Sequence, residues 1–98
     1  MYEHLPGGEI LSNGLRDLEQ GHRTVNALLV LVAAPRLTRC GIRIPQSSPL
    51  SGLPEHALYR QLCVEHGAEA YRLYRSLLRR LVSLENALES QISQTRGS

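Results

Sequence analysis

Tyrosines and arginines carry most of the chemistry that this sequence offers. They stand side by side as Tyr59-Arg60, Tyr71-Arg72 and Tyr74-Arg75, and the pair Arg79-Arg80 comes next. On a helix, Arg72, Arg75 and Arg79 fall at i, i+3 and i+7 and share one face. Glu69 precedes Arg72 by three residues and can pair with it along the helix, whereas Arg75, Arg79 and Arg80 have no acid at helical spacing. Guanidinium groups bind carboxylate and phosphate in bidentate fashion, and tyrosine and arginine are favoured as interface anchors. The face carrying Tyr71, Arg72, Tyr74, Arg75, Arg79 and Arg80 therefore reads first as a protein interface, including one between copies of this chain. An ordinary solvated helix face comes next. A grip on a nucleic-acid backbone, with tyrosines stacking on bases, comes third. A second basic patch lies in residues 20–54, which hold Arg23, Arg36, Arg39 and Arg43 and no acid, while residues 1–19 hold four acids against one arginine. Arg36, Arg39 and Arg43 thus form a candidate partner or anion site. Solvated arginines that pair with a neighbour's acidic N-terminus are the plainer reading.

The histidines suggest sharper chemistry. Glu19 and His22 have the Glu-x-x-His spacing used in carboxylate-bridged metal bundles, with Glu65, His66 and Glu69 as further donors. His22 also falls on an apolar seam, where a single polar residue fixes register, so no metal is expected. Arg16 and His22, and again Arg60 and His66, are separated by five residues. That spacing is similar to the Arg-then-His pattern of the HEPN helical ribonucleases over those two residues. The resemblance implies acid–base work on RNA by Arg60 and His66 near a dimer axis. No Gly-rich phosphate loop, Ser/His/Asp elbow or zinc spacing is present, and neither an enzyme nor a cofactor is expected.

These residues need elements to position them. Residues 1–8 contain Pro6-Gly7-Gly8 and read as a flexible entry. Leu11, Leu15, Leu18, His22, Val25, Leu29 and Val32 then step by four and three, the a/d pattern of a helix spanning about 9–34. Gly14 and Gly21 weaken that helix, and Pro35 is expected to end it. A buried strand over 27–34 is the competing reading. Residues 35–54, with four prolines, two glycines and three serines, read as a loop of about 20 residues. Tyr74, Leu77, Leu81, Leu84 and Leu88 mark a second helix over 54–92, able to bend near Gly67, with a tail over 94–98 that resembles a tag linker. Unbent, that helix would be a rod of about 58 Å. Residues 27–34 are apolar on all sides, and two helices cannot cover such a segment. The expected architecture is all-α, with two long helices joined by a Pro/Gly/Ser-rich loop and completed as a bundle by homo-oligomerisation. Its core or oligomer interface would use Leu15, Leu18, Val25, Leu29, Val32, Leu77, Leu81, Leu84 and Leu88. A third helix from residues 2–12 or 36–43 is the alternative cover.

Composition agrees with one small domain. The 98 residues are 42 % hydrophobic and 20 % charged, with a net charge of +2. That charge argues against a strongly basic nucleic-acid protein. There is no lysine, phenylalanine or tryptophan, so 18 leucines must build the core. Cys40 and Cys63 have no metal-ligand spacing and read as reduced thiols. The longest apolar run, Ala27 to Ala34, is far short of the ~20 residues that span a bilayer. No secretory signal is recognisable. The leading expectation is a cytoplasmic, bacterial, non-enzymatic helical protein that self-associates and binds a protein partner. Binding of nucleic-acid phosphate is the runner-up, and a metal-binding or RNA-cleaving bundle is third.

Overall fold

The structure, a computed structural model, describes residues 4–45 and 52–96, with side chains described as far as residue 91. The described residues are all-helical and contain no strand. Helix α1 spans Gly8–Glu19, α2 Val25–Arg39, α3 Pro54–His66 and α4 Ala70–Arg96, with one 3₁₀ turn at Gly67–Glu69 between α3 and α4. Each of the two long helices expected from the leucine period is thus folded in half, and the protein has four helices among the described residues.

The first break lies at Gly21, whose φ of 77° is open to glycine and strained for other residues. The amide of Gly21 donates to the Leu18 carbonyl at 3.0 Å, and the His22 amide donates to Asp17 at 2.8 Å. These two bonds satisfy the last carbonyls of α1 in a Schellman motif. Thr24 then starts α2. Its hydroxyl accepts from the Ala27 amide at 3.2 Å and donates to the Asp17 carboxylate at 2.6 Å, tying the new helix to the old. His22 is consequently an exposed turn residue and not a seam position. Gly14 is buried where α1 crosses α2. A β-carbon there would lie 2.4 Å from the Val30 side chain and 2.5 Å from the Asn26 carbonyl, so only glycine permits the approach.

Pro35 does not end α2, which continues to Arg39. The ring faces solvent, and the helix loses one backbone hydrogen bond. That cost, about 3 kcal/mol, is offset by burial in the next turn. Leu37 is 1 % exposed, and a buried leucine contributes about 1.5–3 kcal/mol. The helix ends instead at Gly41, in a second Schellman motif in which the Ile42 amide donates to Leu37 at 3.0 Å and both side chains are buried. The long loop is correspondingly shorter than 35–54, and residues 46–51 lie outside the described residues. At the other end, residues 4–7 form turns, and Leu5 is buried in the core. The expected flexible entry is therefore packed down; residues 1–3 lie outside the described residues. Helix α4 also runs on through residues 94–96, where a tail was expected.

Gly67, with φ 57°, ends α3 and turns the chain back, so that the helix expected over 54–92 is broken at the glycine near which it was able to bend. The molecule then measures 47 × 27 × 21 Å with a radius of gyration of 13.7 Å, close to the ~13 Å of a compact chain of this length. The 27 residues of α4 account for about 40 Å of the long axis.

Helix α2 packs against α1, α3 and α4. Ala27, Leu28, Leu29 and Val30 are each no more than 3 % exposed. Of the apolar segment that was expected to require a second copy, Ala27 to Val30 and Ala33 are buried within one chain, while Leu31, Val32 and Ala34 are half-buried. No helix is long and apolar enough to cross a membrane among the described residues.

Candidate functional site

The turn at Gly67 brings α3 and α4 together so that Tyr59 meets Tyr74. Their rings are 5.5 Å apart and cross at 89°, the edge-to-face arrangement that aromatic quadrupoles favour. Beside them lies a groove of about 590 Å³ lined by Glu55, His56, Tyr59, Arg60, Cys63, Tyr71 and Tyr74. Tyr74 is partly buried and packs on the core, whereas Tyr59 is 39 % and Tyr71 60 % exposed. The Cys63 thiol, one turn along α3 from Tyr59, holds the Tyr59 hydroxyl above its ordinary value, with partial burial adding to the effect.

Tyr71 is shared with a smaller cleft of about 430 Å³ formed with Arg72, Arg75, Ser76 and Arg79. The Arg75 guanidinium stands 5.9 Å from the Tyr71 ring centre, a cation–π contact. Arg72 is 3.9 Å from Glu69, but both side chains are mostly exposed, and such a pair contributes little in water. Arg79 is exposed. The aromatic groove and the row of guanidinium groups thus form one continuous surface.

Other arginines named from the sequence are used inside the fold. Arg36 lies within α2 and not in a loop. It donates to Glu85 at 3.0 Å and to Glu89 at 2.7 Å, with Asn86 at 3.5 Å. It is a strap between α2 and α4 and not a free partner-binding group, because the fold supplies acids from a helix 49 residues further along. Arg80 forms an ion pair with Glu9 of α1, so this arginine is answered by an acid of its own chain. Arg39 ends α2 and Arg43 lies beyond it in the loop, both exposed. Of the core residues expected, Leu18, Leu29, Leu81, Leu84 and Leu88 are buried, while Leu15, Val25, Val32 and Leu77 are partly buried against them.

The histidine constellations are taken apart by the breaks in the helices. Glu19 and His22 flank the Schellman turn and no longer share a helix face. His22 lines a polar cleft of about 600 Å³ with Thr24, Asn26, Gln61 and Glu65, in which Gln61 donates to Glu65 at 2.7 Å. No group of three His, Cys, Asp or Glu that could hold a metal is formed among the described residues. Arg16 donates to Asn13 at 3.0 Å, apart from His22 beyond the turn. Arg60 lines the aromatic groove, whereas His66 ends α3 outside its lining.

Sequence reasoning named Tyr71, Arg72, Tyr74, Arg75 and Arg79 and missed Glu55, His56 and Cys63. Glu55 and Cys63 lie four residues before and after Tyr59, and His56 lies three before it and seven before Cys63, so all share the face of α3 that contains Tyr59, a signal open to the period rule. The fold and site together define an all-α helical protein with an exposed tyrosine groove bordered by arginines. Comparison with protein families, with curated proteins and with solved structures finds no match.

Proposed function

We propose that this chain is a non-enzymatic interaction protein that holds a segment of another protein in the groove between α3 and α4. The observation that supports this reading is a cluster of aromatic side chains left open to water. Three of the chain's four tyrosines line one groove, and Tyr71 is 60 % exposed. Clustered exposed aromatics are typical anchors of protein interfaces. A base needs an open ring face on which to stack. Here Tyr59 and Tyr74 turn edge to face, and Arg75 stands over Tyr71. These features favour a peptide over a nucleic acid. The non-enzymatic reading is supported by spacing: His56 and Cys63, a base and a nucleophile in the lining, are seven residues apart on α3, roughly 10 Å along its axis. Proton transfer between such groups requires hydrogen-bond reach.

The test is site-specific crosslinking in cells. A photo-reactive phenylalanine replaces Tyr71, and in a control it replaces Thr38, an exposed residue of α2. The expected result is one discrete protein adduct from position 71, absent from position 38 and lost when Tyr59→Ser is added. An adduct with RNA, or the same adducts from both positions, overturns the reading.

A further inference from the structure

Resting on the reading of the groove as a docking site, we infer that the segment it takes is acidic: an apolar or aromatic anchor for the tyrosine groove, continued by carboxylates that reach Arg72, Arg75 and Arg79. Two observations lead there. The first is continuity. Tyr71 belongs to both the groove and the arginine cleft, so a segment seated in one passes over the other. From Arg72 to Arg79 the row covers about 10 Å of helix axis, which matches acids placed one and two turns apart on a partner helix. Arg75 links the two parts, with its guanidinium over the Tyr71 ring and its remaining donors open to a carboxylate.

The second observation is the state of this chain's own acids. Glu9 is engaged by Arg80, and Glu85 and Glu89 are engaged by Arg36. Asp17 accepts from Thr24, Glu65 accepts from Gln61, and Glu69 already faces Arg72. Among the described residues only Glu19 and Glu55 stand outside such contacts. Among the described residues, a second copy of the chain thus offers few carboxylates without a contact of their own, which favours a different, acidic protein as the complement.

The experiment pans a displayed library of random peptides on the full protein. It is repeated on Tyr71→Ala and on the triple variant Arg72→Gln, Arg75→Gln, Arg79→Gln. All four positions are exposed, and circular dichroism confirms that each variant keeps its helices. The expected peptides combine an aromatic or leucine anchor with several Asp or Glu. A synthetic copy should lose about tenfold in affinity on the triple variant, and a similar factor between about 0.05 M and about 0.5 M salt. Peptides bound through Tyr71 but free of acidic bias, and held equally by the triple variant, overturn this inference and leave the groove as a docking site. Enrichment no greater on the wild type than on Tyr71→Ala removes both. A random 12-mer oligonucleotide that binds more tightly than any peptide, and is lost in the triple variant, overturns both in favour of phosphate.

Discussion

The Arg36 guanidinium stands 3.0 Å from the Glu85 carboxylate, bridging the end of α2 to the middle of α4. The Glu85 side chain is only 9 % exposed, while Glu89 on the outer side of the same guanidinium is 50 % exposed. A buried carboxylate and a solvated one thus share one cation. Burial pushes the Glu85 carboxyl above its ordinary value, Arg36 pulls it down by less, and Glu89 adds to the rise.

This imbalance has a pH signature. The native state holds the Glu85 proton more tightly than the unfolded chain does, so stability falls as pH rises through the native value of that carboxyl. Glu85→Gln keeps an oxygen for Arg36 to donate to and removes the titration. Thermal unfolding monitored from about pH 4 to about pH 7 should show the variant gaining on the wild type as pH rises. Arg36→Gln should have the opposite effect, steepening the decline, because the group that lowers the Glu85 value is weakened. A wild type that gains on Glu85→Gln with rising pH would contradict the assignment.

At Gly14 the constraint is space. A methyl group would meet Val30 and the Asn26 backbone well inside contact distance. Alanine is the better helix former by about 1 kcal/mol, yet forcing α1 and α2 apart costs about 1–3 kcal/mol. Gly14→Ala should therefore lower stability in urea unfolding, with valine worse.

At Gly21 the constraint is conformation alone. Nothing lies within 4 Å of the position of a β-carbon, but φ is 77°. Gly21→Ala should cost about 1 kcal/mol and Gly21→Asn less, since asparagine tolerates the left-handed region. Equal losses for the two variants in chemical unfolding would argue against a conformational cause.

Ser12 presents the reverse case. Its hydroxyl is buried without a hydrogen-bond partner among the described residues. Ser12→Ala should raise stability by about 1 kcal/mol, through removal of the unsatisfied group and better helix propensity, and thermal unfolding reads the gain directly.

The composition of the core was legible because leucines at steps of three and four can face only inward; Leu18, Leu29, Leu81, Leu84 and Leu88 are all buried. Gly67 was legible as a place where the chain could bend, because a straight rod of about 58 Å exceeds the size of a compact chain of this length. Gly21 was misread. The period continues through it, and the leucine seam outweighed the local sign, a glycine with a capping threonine three residues later. Pro35 was misread for the opposite reason, because its local rule is strong while the burial of Leu37 beyond it is a tertiary effect. The site divides in the same way. Arg72, Arg75 and Arg79 share a face by helix geometry alone. That Arg36 and Arg80 are engaged depends on Glu85 and Glu9, acids 49 and 71 residues away along the chain. No local pattern foretells pairings at such separations.

The groove also acts as the protein's own optical reporter. The chain has four tyrosines and no tryptophan, so its ultraviolet emission is tyrosine emission alone, and Tyr59, Tyr71 and Tyr74 all stand at one place. Whatever settles there perturbs most of the fluorophores at once. A bound segment that carries tryptophan would draw their excitation by energy transfer, so occupancy can be tracked on the unlabelled protein in solution.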